Sequence, residues 1–66
     1  MSDITRVAVD AMGGDNAPGE IIKGAVDAVN KRKDLKVLLV GRQALIENEL
    51  KARTYEKEQI EVVNAE

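Results

Sequence analysis

The run Asp10-Ala-Met-Gly-Gly-Asp-Asn-Ala-Pro18 holds most of the chemical capacity of this 66-residue chain. Adjacent glycines at 13 and 14 let a backbone curl through positive φ and let a ligand come close to the main chain. Their N–H groups, with the free ones at the start of a following helix, can form a cradle for phosphate or carboxylate. Asp10 and Asp15 flank the glycines with negative charge. Beside a phosphate they would have to hold loop N–H groups, orient a cation or accept a proton. Each feature also has a plainer use. Gly13 and Gly14 can serve a tight turn alone, Asp15 or Asn16 a helix cap, Asp10 a loop hydrogen bond, and Met12 a filler against the sheet.

Other uses of such a loop fit less well. A dinucleotide site needs G-x-G-x-x-G and an acidic residue about 20 positions later. The glycines here stand at 13, 14 and 19, and the next candidate strand ends in Val40-Gly41-Arg42 with no carboxylate. A receiver-type domain would pair Asp10 with Asp15 around Mg²⁺ and end its third strand in a phosphorylatable Asp. This chain has Asn64-Ala-Glu66 there. The absence of G-K-[ST] excludes a P-loop.

The elements around the loop follow from periodicity. Ile4–Asp10 is rich in β-branched residues and reads as a strand that turns buried towards its end. Pro18 suits the first turn of a helix, where a missing N–H costs nothing. Ile21, Ile22, Ala25, Val26 and Val29 then share one helical face, with Lys23 and Asp27 outside it. That helix should stop between Asn30 and Lys33. Gly24, in its interior, is expected to pack closely on a strand. Leu35–Val40 is a nearly continuous apolar run of the kind found in a strand covered on both faces. Arg42–Arg53 reads as a second helix with Leu45, Ile46 and Leu50 inward and Glu47, Glu49 and Lys51 outward. Arg42 itself is expected in solvent, and Tyr55 over a helix end. Thr54–Glu58 is a polar connection, and Gln59–Val63 a third strand.

Strands alternating with helices give an α/β class with parallel strands joined by crossovers. In open sheets of this class ligands bind outside the carboxyl ends of the strands, which is where the loop lies. Two helices and three strands cannot cover both faces of such a sheet. A chain of this size buries only about 60% of its unfolded surface. There is no Cys for a disulfide and no His or Cys cluster for a zinc. Residues 1–66 therefore read as the N-terminal βαβαβ part of a larger single α/β domain, expected neither to fold nor to catalyse alone.

Composition removes further classes. Hydrophobic residues make up 44%, too many for a disordered segment. Ten basic and twelve acidic residues are interspersed, with a net charge of −2, which leaves no stripe for nucleic acid or anionic lipid. No apolar run approaches the roughly 20 residues of a membrane span.

The run Val7-Ala-Val-Asp-Ala-Met-Gly-Gly-Asp-Asn-Ala-Pro18, with Leu38-Leu-Val-Gly41 and Ile60–Glu66, resembles the N-terminus of the bacterial acyl-ACP:phosphate acyltransferases of phospholipid synthesis (the PlsX family). The resemblance covers the whole chain but only about a fifth of a family member. It implies a three-layer, Rossmann-like parallel sheet. It also implies transfer of a fatty acyl group from acyl carrier protein to inorganic phosphate, without a metal or other cofactor. Asp10 and Asp15 become the catalytic candidates, and Gly13, Gly14 and Asn16 the phosphate- or substrate-binding ones. Position 16 is often His in the family, so Asn16 is given no catalytic role. Arg42 stands where a small or acidic residue is more usual. Further implications are a cytoplasmic homodimer at the inner face of the membrane, with membrane contact through other segments. The alternative is a structural fragment of an α/β enzyme whose active site lies elsewhere.

Overall fold

The structure, a computed structural model, describes residues 3–12 and 18–65. The elements run β1 (Thr5–Asp10), α1 (Pro18–Lys31), β2 (Leu35–Gly41), α2 (Gln43–Leu50), a single 3₁₀ turn (Lys57–Gln59) and β3 (Ile60–Asn64). The three strands form one parallel sheet in the order β1-β2-β3. This is the expected βαβαβ unit, a Rossmann-like arrangement. Pro18 opens α1, where its missing N–H is harmless.

Register decides which residues face the helices. Thr5, Val7 and Val9 lie beside Leu35, Val37 and Leu39, and the latter two beside Ile60 and Val62. Both helices pack on β2 and on each other, so both lie over this one face. From α1 come Ile22, Ala25, Val26 and Val29, and from α2 come Ile46 and Leu50. Ile22, Val29, Leu39 and Ile46 are wholly buried. The other face carries Arg6, Ala8 and Asp10 on β1, Lys36, Leu38 and Val40 on β2, and Glu61 and Val63 on β3. It has no helix over it among the described residues. Lys36 Nζ and Glu61 Oε1 pair across it at 3.4 Å.

Several expectations need correction. Leu35–Gly41 alternates buried and half-buried instead of being closed on both faces, because its two crossover helices lie on the same side. β1 is mostly exposed, with only Val9 half-buried, because it is an edge. The second helix ends at Leu50 rather than Arg53, where Lys51–Arg53 turns away, and Leu45 is 45% exposed. The third strand starts one residue later, because Lys57–Gln59 closes into a 3₁₀ turn. Gly24 is exposed, and a Cβ there would meet nothing within 4 Å, so no packing inside the described chain demands glycine.

Gln59 is the polar residue the core relies on. It is 8% exposed, and its Nε2 donates to the carbonyls of Arg32 and Leu35 at 2.7 and 2.8 Å. One amide thus ties the α1–β2 turn to the start of β3. The same turn is braced by an exposed ion pair, Arg32 Nη2 to Asp34 Oδ2 at 2.9 Å. The hydrogen bond from Arg32 holds the Asp34 carboxyl below its ordinary pKa. In a folded polypeptide containing residues 1–66, Gln59→Ala should lower the unfolding free energy by about 1–3 kcal/mol, the cost of orphaning buried carbonyls. Urea titration of the two proteins checks this. An unchanged midpoint would remove Gln59 from the account of the core.

Candidate functional site

The three strands are parallel, so their carboxyl ends meet at one edge of the sheet. Short bonds lash that edge together. Ala11 N–H donates to the Val40 carbonyl at 2.9 Å, and Ala65 N–H to the Gly41 carbonyl at 2.8 Å. Asn64 Oδ1 accepts from the N–H of Gln43 at 3.1 Å, so the end of β3 supplies the cap that Arg42 does not give to α2. The sequence reading missed Asn64, since its use depends on a register that brings β3 beside the start of α2. Arg42 is exposed, as expected.

Asp10 closes β1 and is exposed. Its Oδ1 accepts the N–H of Met12 at 2.9 Å, which bends the chain away from the strand just after it. This is the loop-holding use of Asp10, and it also fixes the direction of the carboxylate. Ala11 is wholly buried, and Met12 is half-buried against the core, the filler role expected of it. Met12 lies over Gly41. A Cβ at 41 would stand 2.7 Å from Met12 Cγ and 3.2 Å from Ile46 Cδ1, so glycine is needed there for close approach. Gly13, Gly14, Asp15 and Asn16 lie outside the described residues.

A groove of about 520 Å³ runs along this edge, lined by Ala8, Val9, Asp10, Met12, Val40, Gly41 and Ala65. Apart from Asp10 its walls are aliphatic side chains, Met and backbone. Glu49 was expected in solvent. It is half-buried instead, with Oε1 3.1 Å from where a Cβ of Gly19 would stand, so a carboxylate lies beside the first turn of α1. That position complements the positive end of the helix dipole. Arg53 Nη2 stands 3.9 Å from the same oxygen. Among the described residues no group of three His, Cys, Asp or Glu could hold a metal ion. Nor is any described helix long and apolar enough to cross a membrane.

The site is thus a strand-end groove with a fixed carboxylate, placed where α/β sheets receive ligands. A family model described as "Fatty acid synthesis protein" matches residues 5–66. The chain belongs to this family. Relatives named phosphate acyltransferase share much of it. That of Clostridium tetani is 47% identical over 60 residues, which is 91% of this chain and 18% of the relative. That of Alkaliphilus oremlandii is 51% identical over 59 residues, or 89% and 17%. That of Syntrophomonas wolfei is 48% identical over 60 residues, or 91% and 19%. The chain therefore spans about a fifth of the length of the curated relatives it matches.

The contact between Met12 and Gly41 can be tested as a pair. Gly41→Ala should cost about 1–3 kcal/mol of stability by overpacking. In a Met12→Ala background the same change should cost clearly less, because the nearest clashing atom is gone. Equal costs in the two backgrounds, measured by urea unfolding, would show that Met12 does not constrain position 41.

Proposed function

We propose that residues 1–66 are part of a phosphate acyltransferase of phospholipid synthesis. It would transfer a fatty acyl group from the thioester of acyl carrier protein to inorganic phosphate and release acyl phosphate. Membership of the family across residues 5–66 carries this reading, with relatives named for phosphate acyl transfer. The position of Asp10 at the strand ends, with its Oδ1 accepting the N–H of Met12, supports it.

In the reaction, an oxygen of hydrogen phosphate attacks the thioester carbonyl carbon. The C–O bond forms and the C–S bond breaks, with its electron pair leaving on sulfur. The proton given up by hydrogen phosphate ends on the thiol. A protein assists such a step by holding the two reactants in line and by stabilising the oxyanion that develops. We assign the N–H groups of Gly13 and Gly14, with Asn16, to binding the phosphate or the acyl substrate. Asp10 and Asp15 are assigned to the proton's path. The hydrogen bond from Met12 N–H orients the Asp10 carboxylate for that task.

We place the parent enzyme in the cytoplasm as a homodimer at the inner face of the membrane. Acyl-carrier docking and membrane contact belong to segments outside residues 1–66. The net charge of −2, with both signs interspersed, supports a protein partner or a small substrate over nucleic acid.

The test uses a full-length family member carrying residues 1–66, assayed for acyl phosphate from acyl-ACP and phosphate. Asp10→Asn retains an oxygen that can accept from Met12 N–H and removes the charge. It should lower kcat by about 100-fold, the lower end of a proton-transfer contribution, with an unchanged melting temperature. Wild-type kinetics in that variant would leave Asp10 as a loop holder only. Gly14→Val should likewise reduce turnover while the protein stays folded. A parallel loss of fold and activity would assign the glycine to the turn alone.

A further inference from the structure

Asp10 is exposed, and a hydrogen bond between exposed groups competes with water and gives little net stabilisation. The Met12 N–H that Asp10 Oδ1 accepts at 2.9 Å therefore needs further support to stay aimed at the carboxylate. Ala11 supplies part of it. Its N–H donates to the Val40 carbonyl at 2.9 Å and its side chain is wholly buried, which fixes the chain as far as residue 11. Among the described residues, the side chain of Met12 is the remaining anchor. It is seated in a notch at the end of β2. A Cβ at position 41 would stand 2.7 Å from Met12 Cγ, 3.4 Å from Met12 Cε and 3.2 Å from Ile46 Cδ1. Met12 and the wholly buried Ile46 of α2 thus close over the space that a larger residue at 41 would fill. An unbranched thioether suits such a notch, because it bends to fill irregular gaps.

The linkage runs across several elements. Gly41 ends β2, Ile46 belongs to α2, and Met12 follows β1. The start of α2 is itself pinned to β3, since Asn64 Oδ1 accepts the N–H of Gln43 at 3.1 Å. Packing on these neighbours, and not β1 alone, therefore sets the direction of the Asp10 carboxylate. We propose that Met12 and Gly41 are positioning residues for the acyl transfer. The Gly41 notch seats the Met12 side chain, and the seated side chain holds the N–H that aims Asp10. A reacting group stays in productive geometry only where its supporting residues are locked by packing. Misplacing it by about 1 Å can cost about 100-fold in rate. The role of the pair rests on the assignment of Asp10 to the proton's path in acyl phosphate formation.

The test is a double-substitution cycle in a full-length family member carrying residues 1–66, assayed for acyl phosphate from acyl-ACP and phosphate. Met12→Ala empties the notch and leaves every backbone group in place. It should lower kcat by about 10- to 100-fold, the scale of a displaced reacting group, with KM unchanged. In an Asp10→Asn background the charge that Met12 positions is gone, and the same change should cost less than about twofold. Equal losses in the two backgrounds would overturn the proposal, since Met12 would then act independently of Asp10. So would wild-type turnover in Met12→Ala. Met12→Leu refills the notch without sulfur and should keep most of the turnover. A loss as deep as that of Met12→Ala would make the thioether responsible in place of the packing, and would also overturn it. Gly41→Ala crowds the same side chain and should show the same dependence on Asp10, so the cycle closes from either side if one variant does not fold. Wild-type kinetics in Asp10→Asn alone would sink the reading of Asp10 and this role with it. A deep loss in Asp10→Asn, with Met12→Ala additive to it, would sink the positioning role alone.

Discussion

Strand β2 is hydrogen-bonded on both sides, to β1 and to β3, and both helices rest on its Leu35, Val37 and Leu39 face. Each described element is held by β2 directly or through a neighbour that is. The central constraint follows from the same strand. Leu38 and Val40 point to the other face, half-buried, with Ala8 and Val63 beside them and no helix above among the described residues. A parallel sheet open on one face leaves apolar surface in water at a cost of roughly 25 cal/mol per Å². Among the described residues the fold is two-layered, with both helices over one face of the sheet and none over the other.

The same constraint positions the site. Because the strands are parallel, β1 ends at Asp10, β2 at Gly41 and β3 at Asn64, side by side. Asn64 caps α2, Ala65 binds the Gly41 carbonyl, and Asp10 holds the N–H of Met12. Gly41 is small so that Met12 can fold back over it. A carboxylate, a groove with aliphatic walls and a turn away from the strand are thus fixed before any ligand is considered. Such preorganisation suits a reaction whose catalysis is chiefly positioning and charge stabilisation.

How much of this the sequence disclosed depended on the kind of contact. Alternating apolar patterns revealed the βαβαβ order, the Pro18 start of α1 and the inward face of Ile22, Ala25, Val26 and Val29, because those signals are local. The carboxyl-end placement of Asp10 followed from the same pattern. Contacts between distant segments were not legible. Gln59 looked like an ordinary first strand residue, and only its 24- and 27-residue reach to Leu35 and Arg32 makes it a core staple. Asn64 and Glu49 were missed for the same reason. Leu45 was assigned inward on helical spacing, yet α2 rests on Ile46 and Leu50 and leaves Leu45 to solvent. Gly24 was read as a packing glycine, yet it is exposed and a Cβ there would meet nothing within 4 Å.

Circular dichroism and sedimentation of the isolated 66-residue chain test the cost of that open face most directly. Conformational entropy costs about 1.5 kcal/mol per ordered residue, and one covered sheet face is a small return against it. The account predicts a chain without a cooperative thermal transition, either largely unfolded or sedimenting as large aggregates through its open edge and face. A monomer that melts in a single cooperative two-state transition would contradict it.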